Sequence, residues 1–336
     1  MPTTKNLLLY AIALVLVAFI VSWIPRITLE LMSDDHDDPI ALGTNIWAGY
    51  EPLYVARKTG LLAESDARLL EFSSSTQVMR AFSNGTIDAA ALTLDEVLAL
   101  SDAGIPAVIV LVMDFSNGGD AVVARPEFPT MQSLRGKRIA VESTALGALM
   151  LSRALESNGM RLTDVDVVSV EVDEQELFLS RGDVDAVVTF SPMLNRLKGL
   201  GMVEVFSSKD IPGEVIDVLA VTPHLVEEHE DKLVNVARSW FSALEYLDAE
   251  PERSSELIAP RQGMSPTEVL QTLQELEFPG LDDNLRYLAG SDSSLATTAT
   301  TLNRVLVEAG YLDNHVDVAA IYSDSVVAKV ANPGQR

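Results

Sequence analysis

The side chains best suited to chemistry in this chain follow or end short β-branched runs: Trp47 and Tyr50; Ser74 and Ser75; Thr93; Asp114; Glu142, Ser143 and Thr144; Glu174; Phe190; and Asp217. They are hydroxyls, carboxylates and aromatic faces, a set that grips a small solute rather than one that breaks a bond. A Trp face stacks on a heteroaromatic ring or a cationic group. Carboxylates beside it favour an amine, an amidine or a protonated pyrimidine, because an anion receptor avoids burying negative charge around its guest. The chain has no cysteine, which removes thiol nucleophiles, thiolate metal sites and disulfides together. His36, His224, His229 and His315 are scattered, with no spacing that gathers a metal. No nucleophile–base pair stands out, so no catalytic residue, metal or cofactor is expected, and the chain reads as a binder and not an enzyme.

The elements that must position these residues alternate strand and helix, the signature of mostly parallel sheets flanked by helices. Strands are expected at Ile40–Asn45, Arg68–Ser73, Ile87–Thr93 and Ala107–Asp114, then at Lys137–Glu142, Asp166–Val172, Val184–Phe190 and Gly201–Phe206. Capping-box spacings follow several of them: Ser74 with Gln77, Thr93 with Glu96, Asp173 with Glu176. Ser143 and Thr144 likewise precede an Ala/Leu helix. In an open parallel sheet these junctions share the edge where ligands bind. Helix starts there offer unpaired amides and partial positive charge.

The chain also nearly repeats itself: "FSNGTIDAAALT" (Phe82–Thr93) returns as "LSRGDVDAVVTF" (Leu179–Phe190). A single recurrence at about 100 residues fits two similar lobes better than a solenoid. Gly85 and Gly182 read as helix-ending turns at positive φ, and Asp88 and Asp185, at strand starts, as structural. The expected organisation is residues 1–38 as a signal anchor and acidic tether, 39–119 with 223–330 as a discontinuous first lobe, and 120–222 as the second. Asp120–Arg125 and Val215–Pro223 would carry the two crossings. The tail has amphipathic helical patterns at Leu225–Leu247, Pro266–Leu276 and Ser294–Ala309 and is expected to fold back on the first lobe.

Leu7–Ile24 is an uncharged apolar run of 18 residues, long enough to span a bilayer as a helix. Lys5 before it and the acidic Ser33–Asp38 after it direct the body of the protein to the extracytoplasmic side. An uncleaved membrane anchor is expected, with a cleaved signal peptide as the alternative. A net charge of −25 repels phosphate backbones, so nucleic acid is excluded as a partner.

Four stretches carry a family resemblance: "WAGYEPLYVARKTGLL" (Trp47–Leu62), the paired Gly-x-Ile/Val-Asp-Ala, "LRGKRIAVESTALGALML" (Leu134–Leu151) and "VVTFSPML" (Val187–Leu194). They resemble the periplasmic substrate-binding proteins of ABC importers, in the nitrate/sulfonate/taurine and thiamine-pyrimidine-precursor (NMT1-like) branch. The resemblance implies an α/β, two-lobed type II "Venus flytrap" fold that closes on a small molecule and presents its guest to a permease and its ATPase; a monomer is expected. It also leaves open a nitrate- or sulfonate-type anion as the guest, or a membrane-tethered sensor role. An enzymatic relative, the eukaryotic-type pyrimidine precursor synthase, depends on a cysteine-rich motif that this chain lacks.

Overall fold

The computed structural model describes residues 38–290, 293–332 and 334. The expected anchor at Leu7–Ile24, most of the acidic tether and His36 lie outside the described residues. Among those described, no helix is long and apolar enough to cross a membrane.

Two sheets organise the body, residues 39–336. The first contains β1 (Ile40–Thr44), β2 (Ala67–Glu71), β3 (Ala89–Thr93), β4 (Val108–Ser116), β10 (Ile216–Val221) and β11 (Leu276–Glu277), in the order β11-β4-β10-β3-β1-β2. The second contains β5 (Asp120–Ala124), β6 (Arg138–Val141), β7 (Asp166–Ser169), β8 (Ala186–Phe190) and β9 (Val203–Ser207), in the order β7-β6-β8-β5-β9. β1 and β3 are buried along their whole lengths, which is why they read as unbroken small or apolar runs instead of alternating ones.

The repeat is visible in the pairing. β1 lies parallel between β2 and β3, and β6 lies parallel between β7 and β8. Next to β3 comes antiparallel β10, and next to β8 comes antiparallel β5. The recurring sequence thus builds β3 and β8, the strands that meet the crossing strand in each sheet. Gly85 and Gly182 both sit at φ +73°, a conformation that a β-carbon disfavours, so the turn before each strand needs glycine.

The helices between strands are α1 (Glu51–Thr59), α2 (Ser75–Ser83), α3 (Leu94–Asp102), α4 (Ala145–Ser157), α5 (Gln175–Arg181) and α6 (Met193–Gly199). The tail supplies α7 (Pro223–Glu228), α8 (Glu230–Ala249), α9 (Pro251–Gln262), α10 (Pro266–Leu273), α11 (Leu281–Leu288), α12 (Ser294–Glu308) and α13 (Ser325–Ala331). Trp240 of α8, Leu302 of α12 and Val327 of α13 share one apolar core with β1, β3 and β4. In α9, Arg261 pairs at 2.9 Å with Glu51, a carboxylate only 1% exposed, and so ties the tail to α1.

Three expectations change. A second-lobe limit at 222 fails because β10 pairs with β3 and β4, so the chain has already returned to the first sheet by Ile216. The pattern from Leu225 to Leu247 is two helices, broken at His229. The tail also adds β11, whose Leu276 pairs with Ser116 at the edge of the first sheet.

Candidate functional site

The register of the first sheet sets three candidate residues side by side. Asp217 on β10 stands opposite Thr93 at the end of β3 and opposite Asp114 on β4. The loop after β1 lies against these carboxylates. Trp47 Nε1 donates to Asp114 Oδ2 at 3.3 Å, and the Tyr50 hydroxyl donates to Asp217. Gly49 lets that loop approach so closely, for a β-carbon there would collide with the Asp114 carboxylate and the Trp47 indole. From the second lobe, Phe190 at the end of β8 meets Trp47 edge to face, 5.8 Å between ring centres. Asp120, opening β5, pairs in register with Phe190. Two sheets therefore contribute to one cluster.

Its electrostatics are one-sided. Asp95, Glu96, Asp114, Asp120 and Asp217 are all at most 3% exposed. Burial pushes Asp114 and Glu96 up to about 8, and Asp95 and Asp120 up to about 7. Burial and the neighbouring Asp114 raise Asp217 well above the usual carboxylate range. The charges acting on these groups are mainly one another's: Asp120 on Asp114, Asp95 on Glu96, Asp95 on Asp120. Glu96 Oε1, Asp114 Oδ1, Asp120 Oδ2 and Thr93 Oγ1 are buried without a hydrogen-bond partner. Such groups carry a desolvation cost that a complementary guest would offset.

A cavity of about 510 Å³ opens beside the cluster, with walls from both lobes. Ile46, Ser73, Gln262 and Met264 come from the first, Asp173, Phe190, Asn195 and Arg196 from the second. Among the described residues, no group of three or more His, Asp or Glu side chains has the geometry to hold a metal ion.

The family model described as NMT1-like matches residues 33–259. The chain belongs to the NMT1-like family. The taurine-binding periplasmic protein of Escherichia coli (strain K12) is 22% identical to it over 295 residues, 84% of this chain and 91% of that protein. The alkanesulfonate-binding protein of Xanthomonas axonopodis pv. citri, solved bound to MOPS, superimposes with a TM-score of 0.73 at 17% identity, over 85% of this chain and 99% of that one. A desulfurization enzyme, DSZB, has a TM-score of 0.64 at 17% identity, over 88% of this chain and 100% of that one. The fold is the α/β two-lobed periplasmic-binding-protein fold.

Within this NMT1-like chain the candidate residues divide. Trp47, Tyr50, Thr93, Asp114, Phe190 and Asp217 come together as described. Ser74 caps α2, accepting from the Gln77 amide at 3.3 Å, while the Gln77 side chain turns to Ser73. Buried Ser75 accepts from Asn45 Nδ2 at 3.1 Å. Thr144 caps α4 through the Gly147 amide at 3.2 Å. At the start of α3 only half of the expected box forms, Glu96 Oε2 accepting from the Thr93 amide at 3.1 Å. Ser143 is exposed and hydrogen-bonds Ser169 at 2.6 Å, so it does not join Thr93. Glu174 is exposed too, and it is Asp173 that lines the cavity. The Asp173 cap is absent because a 3-10 turn, Val172–Glu174, starts the segment and delays α5 to Gln175.

Sequence reasoning did not count Asp95, Glu96 or Asp120 among the site residues, taking Glu96 as a capping partner of Thr93 and Asp120 as the start of a crossing, although Asp95 and Glu96 immediately follow Thr93 at a strand end. It also passed over Asn195 and Arg196, which come just after β8. Gln262 and Met264 belong to the tail and carried no signal of that kind.

Proposed function

We propose that this chain is the extracytoplasmic solute-binding component of an ABC importer and closes its lobes on a small organic cation, an amine or a pyrimidine-like base. The observation that carries the charge preference is the group of buried, mutually repelling carboxylates beside Trp47 and Phe190. An ammonium or a protonated ring placed there replaces repulsion by attraction in a low-dielectric setting and adds a cation–π contact. A sulfonate gains no such attraction, and it meets like charge wherever these carboxyls ionise as pH rises through 7 to 8. The family and the two-lobed fold support capture and delivery, since hinge closure around a guest is an established binding mode. The crossings from β4 to β5 and from β9 to β10 would form the hinge.

A second reading draws on the relatives, whose names specify taurine and alkanesulfonates. Calorimetry with a matched panel separates the two: primary amines and aminopyrimidines on one side, taurine, methanesulfonate and nitrate on the other. Binding confined to the cationic compounds is expected. Tight binding of the anions with none of the amines would reverse the assignment.

A further inference from the structure

Glu142 leaves the end of β6 in the second sheet, yet its carboxylate rests on the first turn of α2 in the first lobe. Its Oε1 accepts from the Thr76 amide at 2.9 Å and from Thr76 Oγ1 at 2.8 Å. The Thr76 amide is one of the helix-start donors that the helix itself cannot satisfy. Beside it, Ser74 Oγ accepts from the Gln77 amide and Ser75 Oγ from Asn45 Nδ2. Glu142 is only 4% exposed, and burial first, then the neighbouring Glu171 and Asp173, raise its carboxyl above the usual range. Its two bonds to Thr76 run the other way, joining a carboxylate to the positive end of a helix. The place is part of the binding cleft, because Ser73, just ahead of α2, lines the cavity.

We propose that Glu142 is a specificity-determining residue that serves as a built-in anion: it fills the start of α2 as the lobes meet, holds them together, and denies that position to an anionic guest. The proposal rests on the two-lobed capture reading above, but its first readout needs no guest. Positive guests then meet the deeper carboxyls, whose protons they displace, while the Thr76 donors at the start of α2 are already occupied.

The test uses the full chain, which has no cysteine of its own. Spin labels on Ser83→Cys in α2 and Ser180→Cys in α5, both exposed, report lobe separation by double electron–electron resonance. With Glu142 present and no ligand, the distance distribution should be short and narrow. Glu142→Ala should lengthen it by several ångström, while Glu142→Gln, which keeps an acceptor for the Thr76 amide, should leave it nearly unchanged. Millimolar sulfate should bind the alanine variant about tenfold or more tightly than the native chain and restore the short distance. An open distribution in the native chain, an unchanged one in Glu142→Ala, or an opened variant indifferent to sulfate would each overturn the proposal. If Glu142→Ala does not fold, Thr76→Val, which removes only the hydroxyl donor, must still lengthen the distance, and no lengthening overturns the proposal. Failure of every amine to bind would sink the cationic reading and leave these distances untouched.

Discussion

At the scale of single residues, Asp114 is where charge and geometry meet. It takes the Trp47 indole, stands beside Asp217 and keeps its other oxygen without a partner. Asp114→Asn preserves an acceptor for Trp47 and removes a charge, so affinity for cationic guests should fall while affinity for neutral analogues stays, as calorimetry would show. The pH dependence follows from the same group. Its carboxyl ordinarily titrates at 3.8 and is raised to about 8 in the fold, so the native state holds a proton that the unfolded chain gives up. The stability associated with Asp114, Glu96, Asp95 and Asp120 is therefore complete below about pH 4 and lost as pH rises through 7 to 8. Without ligand, the melting temperature should decline from pH 5 to pH 8, and Asp114→Asn should flatten that decline. Each kcal/mol recovered corresponds to about 1.5 °C in a chain of this size. A cationic guest displaces those protons, so its affinity should rise over the same interval, with proton release visible as buffer-dependent heats.

At the scale of elements, the strand-to-helix junctions decide what the sequence could reveal. Alternation and caps located β1 to β9 within a few residues, and the repeated motif pointed to β3 and β8. Trp47, Asp114 and Phe190 were legible because each follows a strand or lies at or near its end, on the edge where helices begin, whereas Asp217 opens the returning strand β10. Junction residues that cap were indistinguishable in sequence from those that gather at the cleft: Thr144 and Ser74 serve their own helices. Thr144→Ala should accordingly cost about 1 kcal/mol, read as a lowered denaturation midpoint, with ligand affinity little changed. Glu142 was legible as a strand-end acid but not as a partner of Thr76, because sequence spacing says nothing about which helix start faces it across the lobes. Gly49→Ala belongs at this scale as well. It would push the loop after β1 away from β4, costing about 1–3 kcal/mol and weakening the Trp47–Asp114 contact, and a loss of stability without a loss of affinity would contradict that account.

At the scale of the whole molecule, closure requires that two crossings bend together. They are stitched at Ser208, a fully buried residue just after β9: its hydroxyl accepts from the Gly118 amide at 2.7 Å and pairs with Ser116 Oγ at 2.9 Å. One side chain thus connects the outgoing crossing at Gly118 with the returning one after β9. Ser208→Ala leaves the Gly118 amide buried without an acceptor, at a cost of about 1–3 kcal/mol. Because the defect sits at the hinge and touches neither apolar core nor the carboxylate cluster, its effect should be selective. Hydrogen exchange should quicken at Gly118 and Gly119 while β1 and β3 stay protected, and a saturating ligand should recover part of the lost stability by favouring the closed form. Uniformly faster exchange across both sheets would show instead that Ser208 supports the fold as a whole and not the joint between its halves.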